Sequence, residues 1–114
     1  MSILSDLNTA LSGLEIPVET GVFSDEAPAE YLVITPLTDI FFFADNKPHH
    51  EIQQARLSLF SKGNYMETKD IVVSQLLDTD FTITDRLYIG HEDDTGYHHY
   101  AIDVEKEYTL QEEE

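Results

Sequence analysis

The chain holds 114 residues without a cysteine, 41% of them apolar, and sets 23 acidic side chains against six basic ones for a net charge of −17. That length suits one compact domain with its own core and no second one, and the missing cysteines exclude disulfides, thiol nucleophiles and cysteine-ligated metal, which fits a reducing cytosol. The charge has the wrong sign for holding phosphate, so tight, direct binding of nucleic acid is not expected.

Leu4, Leu7, Leu11 and Leu14 recur at helical spacing, Asp6 falls in the first turn and Gly13 stands near the end, so residues 3–13 read as an amphipathic helix. Met1 to Asp6 has neither a basic stretch nor an apolar run, and no secretory signal is expected from it. Pro17 breaks any continuation, and Thr20 to Glu30, with Gly21, Ser24, Pro28 and several acids, reads as a loop. Tyr31-Leu32-Val33-Ile34-Thr35 is rich in β-branched residues and bounded by Pro36, which predicts a short, largely buried strand. Residues 37–43 predict a second strand, closed by a turn over Ala44-Asp45-Asn46-Lys47-Pro48 that leads into a hairpin. The longest apolar stretch, Ile40 to Ala44, lies here and is far short of the roughly 20 residues that cross a bilayer, so no membrane association is expected.

From His50 to Ser61, Ala55, Leu57 and Leu59 alternate with Arg56 and Ser58, the pattern of a half-buried strand with the first set on the core. Asn64, with Glu67 three residues on, has the spacing of a helix cap, and Met66, Val72, Val73, Leu76 and Leu77 supply an apolar face for a helix over residues 64–78. Phe81, Ile83 and Leu87 alternate with Thr82, Thr84, Arg86 and Tyr88; Tyr100, Ile102 and Val104 alternate with Ala101, Asp103 and Glu105. These two strands pair through the polar turn His91 to Gly96. The order α-β-β-β-α-β-β, without strict β-α-β alternation, predicts a two-layer α+β fold, a mostly antiparallel sheet covered by two helices. Residues 1–110 make the single domain, and Gln111 to Glu114 is a charged tail expected to be disordered.

Few constellations carry chemistry. Asp94-Thr95-Gly96 matches the triplet of aspartic proteases, but His91, Glu92 and Asp93 precede it where an apolar strand is needed to bury the acids, and a turn between strands explains it better. His49-His50 and His98-His99, with His91 and nearby acids, offer imidazole and carboxylate to a divalent ion. Adjacent histidines on a strand point to opposite faces, however, so neither pair chelates alone. No phosphate-binding glycine loop and no serine triad can be assembled. No catalytic residue, cofactor or metal is expected, and the chain reads as a non-enzyme. Ile40, Phe41, Phe42 and Phe43 are the candidate interface residues: a strand places Ile40 and Phe42 on one face and Phe41 and Phe43 on the other, and only one face can meet the domain's own core. A helix or a neighbouring subunit could cover the other.

Tyr31-Leu32-Val33-Ile34-Thr35-Pro36, Ala44 to Pro48, Arg56 to Tyr65, Phe81 to Arg86 and the segment from Tyr88 through Tyr108 resemble a family of phage and prophage proteins, the head-tail joining or tail-completion proteins of long-tailed bacteriophages. The resemblance spans about residues 30–108 and leaves the first helix and the acidic tail outside it. It implies a helix-covered antiparallel sheet and assembly as a ring, commonly a hexamer, that docks tail to connector and lets DNA pass. It also implies partners among tail-tube, tail-terminator and connector proteins, and a place in the virion after assembly in the host cytoplasm. No catalytic residue carries over. A lumen lined by acids would repel DNA into smooth passage, although the same charge also serves plain solubility. The rival reading from charge alone is an acidic decoy that imitates DNA and binds a basic partner.

Overall fold

A computed structural model describes residues 2–20, 28–44 and 47–109, with backbone alone at 42–44 and 47–49. The chain runs α1 (Ile3–Leu11), β1 (Val18–Thr20), β2 (Glu30–Ala44), β3 (Lys47–Ser61), α2 (Tyr65–Leu77), β4 (Thr82–His91) and β5 (His98–Thr109). It is an α+β fold. Its five strands form one sheet in the order β1-β2-β3-β5-β4, antiparallel except where β1 runs parallel to β2.

Local chemistry sets the helix ends. Ser2 caps α1, its hydroxyl accepting the Leu4 N–H at 3.1 Å, and Ile3, Leu7 and Leu11 then bury one stripe of the helix. Asn64 caps α2 by accepting the Glu67 N–H at 3.3 Å, as its spacing predicts. Both helices lie on the same sheet face, where Leu32, Ile34, Ala55, Leu57, Leu59, Ile102 and Val104 are fully buried beneath Leu7, Leu11, Val72 and Leu76. Each such Leu or Ile contributes about 1.5–3 kcal/mol through the water it sheds. Two polar bonds fix the helices in place. Gln53 Oε1 accepts the Ile3 N–H at 2.7 Å, and Gln75 Nε2 donates to the Ala10 carbonyl at 2.8 Å.

Several expectations change. The strands predicted over 31–35 and 37–43 are one continuous β2, and the additional strand is Val18–Thr20, inside a stretch where Pro17 and the following acids gave no strand signal. Pro36 does not end β2 because it sits on an edge: β1 pairs only with Leu32 to Ile34, so past that point β2 has no described neighbour that needs the missing N–H. The first helix stops at Leu11, two residues early, while Leu14 packs against the core from beyond it. On α2, Met66 and Leu77 are exposed, and buried Thr68 joins Val72 and Leu76 on the inward stripe. Most of the loop expected over residues 20–30, the central turn residues 45–46 and the tail at 111–114 lie outside the described residues.

Candidate functional site

The interface candidates lie toward the far end of the β2–β3 hairpin. Two strands of 15 residues at about 3.4 Å per residue account for the molecule's 53 Å long axis. Pro36 through Phe41 are all exposed, while α1 reaches the neighbouring strands at this level, Ile3 at Gln53 and Asp6 at Tyr108. A bulge between Pro36 and Asp39 sets two residues of β2 against Gln54 alone. Beyond it the side-chain alternation is reversed relative to the run Leu32 to Ile34. Ile40 therefore pairs with Ile52 on the face away from the helices, and Phe41 pairs with Glu51 on the helix-bearing side.

Ile40 is 43% exposed and Phe41 50% exposed. Neither of these two side chains is buried by the domain's own core. Phe42 and Phe43 fall in register with His50 and Pro48, and their side chains lie outside the described residues. The surroundings are acidic: Glu51 accepts from Gln53 at 3.1 Å, and Glu107 stands 3.0 Å from His50 Nδ1.

The other sequence candidates are scattered. Asp94 sits exposed in the β4–β5 turn, which is closed by Glu92 N–H to the Tyr97 carbonyl at 2.8 Å and Gly96 N–H to the Glu92 carbonyl at 2.7 Å. Gly96 there has φ +81°, a conformation suited to glycine. His98 and His99 take opposite faces. His98 meets the Tyr88 hydroxyl at 2.9 Å and the His91 ring at 4.7 Å, whereas His99 stacks on Phe60 at 4.4 Å. His50 pairs with Thr109 and His98 with Ser61, which puts them at opposite ends of β5. Among the described residues no three His, Asp or Glu side chains gather in a way that could hold a metal ion.

Sequence reasoning missed the outer sheet face. Across it, Tyr31 stacks on Phe60 at 4.9 Å and Tyr97 meets both rings edge-on at 5.5 and 6.2 Å. Further along the same face Arg56 grips Asp103 with two bonds of 2.7 and 3.1 Å. These groupings come from strand register, which pairs residues far apart in the chain; the alternation of Arg56 and Ser58, and of Asp103 and Glu105, hinted only at a polar outer face. Burial lowers the His99 pKa, Arg56 adds to that effect, and Glu92 opposes it.

Fold and surface together define a small α+β protein with a five-stranded, mostly antiparallel sheet, two helices on one face and a hairpin arm that exposes Ile40 and Phe41. No family model matches the sequence, and no curated protein matches it either.

Proposed function

We propose that this chain is a non-enzymatic structural subunit of the phage head-tail junction or tail end, assembling with copies of itself in a ring that docks on tail-tube, terminator or connector proteins. One observation carries the reading: the hairpin arm leaves Ile40 and Phe41, on its two opposite faces, each with a large share of its apolar surface open to solvent. Exposed apolar side chains on both faces of one strand favour insertion between neighbours. Beside them, β2 past Ile34 offers an edge without a described partner strand. A closed ring would satisfy such surfaces in every copy at once. The net charge of −17 supports a wall that DNA passes without adhering, and it opposes closure until salt or a docking partner offsets the repulsion.

The test is the double variant Ile40→Ser/Phe41→Ser. Both side chains are already exposed, so its melting temperature should stay close to that of the parent chain. Salt-promoted association, followed by sedimentation with and without tail proteins, should disappear, since losing aromatic or aliphatic anchors often costs about 2 kcal/mol or more each. A chain that stays monomeric at every salt concentration even with tail proteins would sink the ring. The same charge also favours the acidic decoy, which would instead bind a basic nucleic-acid protein as a monomer or dimer.

A further inference from the structure

Beside α2, the segment that follows α1 leaves an open groove of about 440 Å³. Thr68, Val72 and Leu76 turn inward, which leaves Glu67 and Ile71, one helical turn apart, along the outer side. Ile71 is 46% exposed, and with Leu14 and Ile16 it makes the groove and its continuation apolar. Glu15, Glu30, Glu67 and Asp70 stand around these residues, and no lysine or arginine is among the described lining residues. Glu30 is held in place by the Ser61 hydroxyl at 2.9 Å and the Thr68 hydroxyl at 2.5 Å. Lys69 is the nearby cation; it lies 3.0 Å from Asp70 and reaches over the Tyr100 ring.

An apolar floor within a ring of carboxylates selects a segment that brings an apolar side chain and Lys or Arg together. A second copy of this chain is a poor occupant. It carries only six basic residues against 23 acidic ones, and Arg56, Lys69 and Lys106 are already ion-paired. The geometry points to this groove as the docking site for a cationic amphipathic segment of a different protein. The site is separate from the hairpin arm and holds whether or not the chain forms a ring.

A synthetic amphipathic Lys/Leu peptide, titrated into the isotopically labelled full chain, is the probe. Saturable NMR shifts should centre on Leu14, Glu67, Ile71 and Gln75. Ile71→Ser should weaken binding about tenfold with the melting temperature unchanged. Glu67→Gln/Asp70→Asn should weaken it further at low salt and flatten its salt dependence, while Asp85→Asn on β4 should leave it intact. Shifts spread over the whole acidic surface, or equal losses from Asp85→Asn and Glu67→Gln, would reduce the binding to bulk charge and overturn the assignment. So would an Ile71→Ser variant that binds as the parent does. Concentration-dependent self-association abolished by Ile71→Ser would give the groove to a second copy instead. Loss of ring assembly in the Ile40/Phe41 variant should leave peptide binding untouched, so the two readings fail separately.

Discussion

Asp6 ties the first helix to the last strand: its carboxylate accepts from the Tyr108 hydroxyl at 2.6 Å and from Lys106 Nζ at 3.2 Å. The Tyr108 bond, helped by Lys106, holds the Asp6 pKa below its ordinary 3.8 although burial works against it. Tyr108 is correspondingly raised, first by burial and then by that bond. A carboxyl lowered in the folded state contributes stability that is present above 3.8 and is lost as pH falls below it through the folded value. Tyr108→Phe should therefore cost about 1 kcal/mol at neutral pH, and NMR titration should find Asp6 moved back toward 3.8. His99 moves stability at a different pH. With its folded pKa below the ordinary 6.5, its neutral form is fully favourable above that value, and stability falls as pH drops from 6.5 toward the folded value. His99→Phe keeps a ring against Phe60 and removes the titration. Denaturant midpoints compared at about pH 7 and about pH 5 should thus differ less in the variant than in the parent.

Among the elements, β2 shows most clearly what a bulge does to a strand. Leu37 and Thr38 together oppose Gln54, so the chain carries one residue more than the ladder requires. Deleting Thr38 should leave Pro36 opposite Ala55 and Asp39 opposite Gln53, with little change in a circular-dichroism melt. Deleting Val33 instead should throw Leu32 or Ile34 off the core face and unfold the domain. The same geometry separates what the sequence made legible from what it did not. Alternation placed Ala55, Leu57 and Leu59 on the core, and the spacing from Asn64 to Glu67 located the start of α2, because these signals are local. Leu87, which the sequence sets in one alternating series with Phe81 and Ile83, lies opposite Ala101 on the other face from Ile83, since a bulge between Ile83 and Asp85 reverses the alternation. Ile40 and Phe41 were legible as an excess of apolar groups, but their exposure depends on the bulge before them and on strand register, which no local signal gives. β1 had no local signal at all; its place comes from backbone pairing with Leu32 to Ile34 and the Pro17 carbonyl accepting the Leu32 N–H.

For the molecule as a whole, packing is uneven along the long axis. Leu57 and Ile102 lie beneath helices in a fully buried core, whereas Asp39, Ile40 and Phe41 sit on an exposed arm with β3 alone described beside them. The charge sharpens the contrast, since carboxylates such as Glu51 and Glu107 crowd the arm. The chain should accordingly have no single resistance to opening. In native-state hydrogen exchange the amides of residues 39–41 should open in a local step indifferent to low denaturant, while those of Leu57 and Ile102 should exchange only when the whole domain unfolds. Uniform, denaturant-sensitive protection of both regions would show one cooperative unit instead. With the two regimes separate, slowed exchange at residues 39–41 against a constant rate at Leu57 becomes a built-in gauge of whatever closes over the arm.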